Sequence, residues 1–322
     1  RRCWKHCQSR ILRSIMPNLL AHSLLVKRLY NNEVEKNSIE KKSFLVGNYD
    51  FLVLGSLGPD PLFYTGILPS HGLHLLTASK KVGNKLHKLD GKRLFKRMVE
   101  QVYFIENDKE RNRYCAFVLG QFSHYLLDRI SHPYILYESG FDENGRITSH
   151  YHHDHAYFET KLDCALAKRY IISHFLSDPE DVIPDNPRNL ALIDSYFVPA
   201  IEQVLEIKKI AKKTYSNGIL NMRKLLKKFS HSPKRSKLCP KSISLSGMCF
   251  PSEIDLSVLN EEKKEWLDPV TGEKHEESFL ELHSAAYELL KELYRDLMTR
   301  GFNYDTFQKY IDGKDYYGSL PG

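Results

Sequence analysis

The sequence has no apolar run long enough to cross a membrane. No stretch of its 322 residues approaches the roughly 18 consecutive apolar residues of a transmembrane helix. Its composition, 42% hydrophobic and 27% charged, is that of a soluble globular protein rather than a disordered one. At this length the chain can bury a substantial core, so we expect a globular protein without a transmembrane segment.

The sequence also lacks the features of a disulfide-stabilised secreted protein. Its six cysteines are widely scattered, and Cys115 and Cys164 fall in apolar segments where a free thiol acts as a small hydrophobe. The basic segment RRCWKHCQSRILRSI has neither the apolar region nor the cleavage site of a signal peptide. We therefore expect a reducing, cytoplasmic location. Residues 1–15, which precede Met16, are interpreted as an unstructured extension, and the Cys-His-Cys cluster within them is a weak alternative metal site.

Acidic residues are missing from one long segment. Between Lys208 and Lys241 there are twelve Lys or Arg and no Asp or Glu, which exceeds the net charge of +7 of the whole chain. An ordinary solvated surface would explain such a segment. The alternative is a contact surface for an anionic membrane or for nucleic acid, and the sequence leaves both interpretations open.

Strand-like alternation and internal repeats are absent as well, and the apolar periodicity is helical. The pattern predicts an all-α protein with a single multi-helix, bundle-like domain over residues 16–322. Residues 230–274, rich in Pro, Ser and Lys, are predicted to form an irregular insertion. Helices are predicted over residues 17–30, 80–106, 111–132, 152–171, 188–214, 218–229, 276–300 and 303–312, with Gly91 tolerated inside the second and Pro133 ending the third.

The apolar stretch FVLGQFSHYLLDRISHPYI contains three polar residues at intervals of four. On a helix each such step turns the side chain only about 40° beyond a full turn, so His124, Asp128 and His132 share one stripe. A carboxylate buried there alone is costly, and a divalent cation removes the cost by binding it together with imidazole nitrogens. His155 and Glu159 repeat the spacing on the next predicted helix. Two such sets predict a buried multinuclear metal site, and His and carboxylate ligands favour zinc, with manganese or iron as alternatives.

The order of these motifs resembles that of the zinc-dependent phospholipase C family, and in particular its non-secreted bacterial members. The similarity runs from about Met16 to Lys168 and rests on GPDPLFY, a following LH on a helix, HYLLDRISHP and HxxxE. Later in the chain, WLDPVTGEKHEESFLEL resembles the C-terminal part of those members. The resemblance implies two, and up to three, zinc ions. The implied ligands are Asp60, His124, Asp128 and His87 for a first ion, His132, His155 and Glu159 for a second, and His22 for a third.

The sequence leaves two points about these ligands undecided: which histidine completes the first set, and whether the third metal position is occupied. His87 in NKLHK is preferred as the histidine that completes the first set, but His71 and His74 in LPSHGLH are alternatives. In secreted members an N-terminal Trp also binds the third ion, whereas Trp4 of this chain is not terminal and lies eighteen residues before His22. Occupation of the third position is therefore left open.

The residues and the resemblance together predict phosphodiester hydrolysis, and a phospholipase C acting on glycerophospholipids is the first hypothesis. Metal ions would neutralise the phosphate and activate a water molecule, and Asp60, predicted on a turn, would bind metal and accept the proton of that water. The alternatives are a nuclease of the related trinuclear zinc type and a non-catalytic protein stabilised by metal. Seven or eight predicted ligands exceed the roughly four of a closed structural zinc site, which favours catalysis. The sequence does not define the oligomeric state.

Overall fold

A computed structural model describes residues 19–35, 43–65, 82–140, 151–207, 209–232, 246–269 and 271–319. This part of the chain is predominantly helical, which confirms the predicted all-α class. The helices are α1 Leu19–Tyr30, α2 Tyr49–Ser56, α3 Lys92–Val102, α4 Asp108–Gly140, α5 Tyr151–Arg169, α6 Ser173–Ser177, α7 Pro187–Val204, α8 Thr214–Phe229, α9 Phe279–Arg300 and α10 Tyr304–Gln308. Within the described ranges, four short 3-10 turns cover Asp60–Phe63, Pro179–Val182, Ser246–Met248 and Ser257–Leu259. Strands β1 Trp266–Leu267 and β2 Lys274–His275 form a two-residue antiparallel pair.

The 33-residue helix α4 lies at the centre of the fold, and α2 crosses it at very short range. A Cβ at Gly55 would lie 2.2 Å from the carbonyl oxygen of Phe117, and one at Gly120 would lie 2.3 Å from that of Leu52. Only glycine permits two helix backbones to approach so closely. This crossing places the end of α2 against the middle of α4, beside His124.

The prediction that Pro133 ends the central helix was wrong, because α4 continues to Gly140. Proline removes one helical hydrogen bond and crowds the carbonyl four residues before it, here that of Arg129. The following residues Tyr134 and Ile135 are at most 1% exposed, so their burial offsets that loss. The carbonyl of Arg129 faces the turn at Gly318, where a Cβ would lie only 2.7 Å from its oxygen.

The prediction of one helix across Gly91 was also wrong. Residues 82–87 are helical, the chain then turns, and α3 begins at Lys92. Gly91, the N-cap of α3, has a φ of +78°, a left-handed conformation that glycine adopts without strain and that lets the chain turn between the two helices. The break leaves His87 as the last helical residue before the turn. The helix predicted to reach residue 214 similarly ends at Val204.

The start of α1 is anchored by side chains from two other helices. The backbone N–H groups of Leu20 and Ala21 each donate to a carboxylate oxygen of Asp163 at 3.0 Å. Nε2 of His283 lies 3.0 Å from the carbonyl oxygen of Ala21. Burial raises the pKa of Asp163 to about 7, despite the N–H donors that favour its charged form. These contacts fix the position of His22, the next residue of α1.

Two further features bear on the sequence predictions. Cys115 and Cys164 are buried, as expected of small hydrophobic residues, and burial raises the pKa of the Cys115 thiol to about 12. Among the described helices, none combines the length and the apolar character that crossing a bilayer requires. Residues 1–18 lie outside the described ranges, so the extension over residues 1–15 stays a prediction.

Candidate metal centre

All eight side chains predicted to bind metal lie within the described residues, and none is more than 4% exposed. They are contributed by α1, the 3-10 turn after α2, the helical end before Lys88, α4 and α5. The structure brings their ligand atoms together in three groups, within each of which these atoms lie no more than 4.8 Å apart. The groups are His22, His124 and Asp128; Asp60, His87 and His124; and His132, His155 and Glu159.

The first group surrounds the carboxylate of Asp128. Nε2 of His22 lies 3.1 Å from Oδ1 of Asp128, and Nε2 of His124 lies 2.9 Å from its Oδ2. The two imidazole rings stack with centroids 4.0 Å apart. One oxygen of this buried carboxylate therefore faces a histidine nitrogen from α1, and the other faces a histidine nitrogen from its own helix α4.

The second group joins the 3-10 turn to the helical end before Lys88. Nε2 of His87 lies 3.0 Å from Oδ1 of Asp60, and Nε2 of His124 lies 3.9 Å from the same oxygen. His124 thus belongs to two groups. The sequence-based grouping differed here, because it placed Asp128 with Asp60 and set His22 apart.

The third group lies one helical turn further along α4. Oε1 of Glu159 is 3.5 Å from Nε2 of His132 and 3.3 Å from Nε2 of His155. The two rings are nearly parallel, with centroids 5.4 Å apart. Nδ1 of His132 is 3.8 Å from Oδ1 of Asp128, so this group is close to the first.

Backbone carbonyls orient three of the histidines. The Nδ1 atoms of His87, His124 and His132 lie 2.9, 2.9 and 2.7 Å from the carbonyl oxygens of Gly83, Ser56 and Tyr316. A histidine that donates its Nδ1–H in this way presents the lone pair of Nε2, and metal-binding histidines are commonly held like this. Each of these Nε2 atoms faces a carboxylate, and that contact is favourable only if a cation lies between the two groups or the imidazole is protonated.

Several buried polar atoms of the three groups lack a hydrogen-bond partner, which also favours a bound cation. Within the described part of the chain, Nε2 of His22, His124 and His132 and Oε2 of Glu159 are buried without a hydrogen bond of good geometry. Nε2 of His22 and Nε2 of His124 instead make close polar contacts with the carboxylate of Asp128, at 3.1 and 2.9 Å. Leaving such an atom unsatisfied costs about 1–3 kcal/mol. A zinc ion takes nitrogen and carboxylate oxygen ligands together, so these residues fit it.

Protonation is the alternative way to supply positive charge. Burial would lower the pKa of His124, but the carboxylates of Asp128 and Asp60 outweigh it and raise the pKa to about 9. Burial would also lower the pKa of His132, but the carboxylates of Asp128 and Glu159 outweigh it and raise this pKa to about 9. Burial opposes ionisation of Asp128, yet the surrounding histidines hold its pKa well below the ordinary value. Each group therefore attracts one or more positive charges.

The sequence did not indicate that the C-terminal segment contributes to this centre. The carbonyl oxygen of Tyr316 accepts a hydrogen bond from Nδ1 of His132. The ring centroids of Tyr316 and Tyr317 lie 5.2 and 6.2 Å from that of His87. The hydroxyl of Tyr316 is buried without a partner in the described residues. Only the unusual cluster DYYG in an otherwise polar tail could have drawn attention to it.

Several alternatives from the sequence lie outside the described residues. These are His71 and His74, which competed with His87, and the cluster of Cys3, His6 and Cys7. His87 itself lies in the second group, beside Asp60. Its role as a ligand stays a prediction, as does that of the other seven residues.

Comparison with known proteins identifies the class to which this centre belongs. A family model described as zinc dependent phospholipase C matches residues 21–211, more than half of the chain. The chain therefore belongs to the zinc-dependent phospholipase C family, as the sequence motifs predicted. The matched range contains all three groups of buried His and carboxylate residues. Searches of curated proteins and of solved structures gave no match.

Proposed function

We propose that this protein is a zinc-dependent phosphodiester hydrolase that cleaves glycerophospholipids in the manner of a phospholipase C. Family membership implies a zinc-dependent phospholipase and a lipid substrate. The observation that carries the finer proposal is the set of three adjacent buried groups of His and carboxylate atoms. A structural zinc site is closed with about four ligands, and this centre offers more than that.

We assign the third group, His132, His155 and Glu159, to one ion and the residues around His124 to a second. When bound, zinc neutralises charge on a phosphate and lowers the pKa of a water molecule. Asp60 is the residue we propose as proton acceptor. One of its oxygens faces His87 at 3.0 Å, and the residue is the first of the 3-10 turn Asp60–Phe63. Its other oxygen would take a proton from water.

Elemental analysis and hydrolysis of a short-chain phosphatidylcholine test this proposal together. We expect at least two zinc ions per chain, and activity that a chelator abolishes and zinc restores. Substitution His132→Ala should lose zinc and activity, whereas the matched control His174→Ala, on the exposed helix α6, should retain both. A protein with two zinc ions that cleaves single-stranded DNA but no phospholipid would contradict the proposed substrate. A content of one ion or none would contradict the centre itself.

We also propose that part of the basic segment contacts an anionic membrane, and the structure limits which residues can do so. Arg223 is only 19% exposed, and its guanidinium pairs with the carboxylates of Asp181 and Asp185. Lys227 is exposed but lies 3.4 Å from a carboxylate oxygen of Glu180. Among the residues of this segment that the structure describes, those left for a membrane contact are the exposed lysines Lys209, Lys212, Lys213, Lys224 and Lys228.

A further inference from the structure

The C-terminal segment from Asp315 to Ser319 is part of the wall of the metal centre. The backbone N–H of Tyr316 donates to the carbonyl oxygen of His87 at 3.2 Å, and its own carbonyl accepts from Nδ1 of His132 at 2.7 Å. One residue of this segment therefore connects histidines that belong to two different groups. The segment cannot shift without disturbing both.

The segment forms a tight turn that is fixed from within. Oδ1 of Asp315 accepts the N–H groups of Tyr317 and Ser319, each at 2.9 Å, and the N–H of Asp315 donates to the carbonyl of Ser319 at 2.7 Å. Gly318 adopts a φ of +73°, and a Cβ there would collide with the carbonyl of Arg129 on α4. The side chain of Tyr317 is thus presented from a rigid turn rather than from a loose tail.

The turn places the phenol of Tyr317 between the groups. Its ring centroid is 5.3 Å from that of His132 in the third group and 6.2 Å from that of His87 in the second. The carboxylates of Asp128, Asp60 and Glu159, one from each group, all lie close enough to act electrostatically on this phenol. Tyr317 is therefore near residues of all three groups at once, where it could contact a ligand held by the centre.

The hydroxyl of Tyr317 is available to such a ligand. The residue is 6% exposed, and within the described part of the chain its polar contact is made by the backbone N–H, not by the hydroxyl. A phenol offers one O–H donor and carries no charge at neutral pH. It can therefore donate to an anion bound at the centre without competing with the carboxylates for zinc.

We propose that Tyr317 binds the substrate, with its hydroxyl donating a hydrogen bond to a phosphate oxygen of the phosphodiester. This inference rests on the proposed function, because it names a substrate contact within the same centre. The chemistry it requires is that of a tetrahedral oxyanion, so inorganic phosphate is a sufficient probe. Hydrogen bonds to charged groups are stronger than those between neutral ones.

The test uses the zinc-loaded full-length protein and its Tyr317→Phe variant, with inorganic phosphate titrated by calorimetry. The variant should keep its zinc content and bind phosphate about 10- to 100-fold more weakly, as loss of a hydrogen bond to a charged group predicts. The matched control is Tyr310→Phe, which removes a hydroxyl that bonds to Asp296 at the surface. Its phosphate affinity should equal that of the wild type.

A second measurement needs no variant. Phosphate added to the wild-type zinc protein should perturb the ultraviolet absorbance of tyrosine, and a silent difference spectrum would overturn the inference. Equal phosphate affinity in Tyr317→Phe and wild type would also overturn it, and so would loss of zinc from the variant, since that would reveal a structural role. If phosphate binding depends on Tyr317 but no phospholipid is cleaved, the proposed function fails and this inference stands.

Discussion

Removal of zinc should make the stability of the protein depend on pH in a defined direction. His124 and His132 each have a pKa raised from 6.5 to about 9 in the folded chain, because buried carboxylates face them. A group whose folded pKa is raised contributes stability below its unfolded pKa, and this contribution is lost as the pH rises through the folded value. The zinc-free protein should therefore become less stable between pH 7.5 and pH 9.

The magnitude follows from the size of the shifts. One pKa unit corresponds to about 1.4 kcal/mol, so each histidine should lose about 2 kcal/mol of stabilisation across this window. The two effects will not add fully, because both histidines depend on the carboxylate of Asp128. The window avoids two other perturbed groups. His22, whose pKa is lowered by burial and by His124, and Asp163, raised to about 7, have both largely titrated below pH 7.5.

Urea unfolding of chelator-treated and zinc-loaded protein at pH 7.5 and pH 9 measures the effect. The zinc-loaded protein should not show the loss, because metal binding displaces the protons of its histidine ligands. Replacement His124→Gln should shrink the loss in the zinc-free protein, and His174→Gln, at an exposed position, should not. A zinc-free protein equally stable or more stable at pH 9 would refute the assignment of these charges.

Two further outcomes are expected. Substitution Gly58→Ala should lower the zinc content, because a Cβ there would lie 2.5 Å from Nε2 of His124; Gly272→Ala has a similar positive φ with no atom within 4 Å and should keep its zinc. Double replacement of Lys224 and Lys228 by Gln should weaken binding to anionic vesicles by up to about 1 kcal/mol for each lysine, with the loss diminishing as salt rises. Unchanged vesicle binding would leave these lysines as an ordinary solvated surface, and their removal should not alter hydrolysis of a soluble phosphodiester.

The features predicted correctly from the sequence are local ones. The i, i+4 spacing of His124, Asp128 and His132 defines one stripe of a helix whatever the rest of the chain does, and the structure shows that stripe facing the other groups. The pair His155 and Glu159 follows the same rule. The helical class likewise depends on a periodicity that each segment carries by itself.

The features that the sequence did not show, or for which its local rules failed, depend on partners far away in the chain. His22 and Asp128 share a group because α1 packs beside α4, and no spacing in the sequence records that packing. The helix continues through Pro133 because buried neighbours offset the lost hydrogen bond, which the local rule for proline cannot include. The hydrogen bond between the carbonyl of Tyr316 and Nδ1 of His132 joins residues 184 positions apart, so no local sequence pattern predicts it.

Metal binding and folding should be tightly linked in this protein. The carbonyls that orient the histidines belong to Ser56, Gly83 and Tyr316, three segments that meet only in the folded chain. An unfolded chain therefore has no preformed site, and the free energy of zinc binding adds to that of folding. The proposed ions should also influence one another, because His124 belongs to two groups and Oδ1 of Asp128 lies 3.8 Å from Nδ1 of His132 in the third. Loss of one ion would leave a shared ligand without its counter-charge, so partial removal of zinc should weaken the sites that remain.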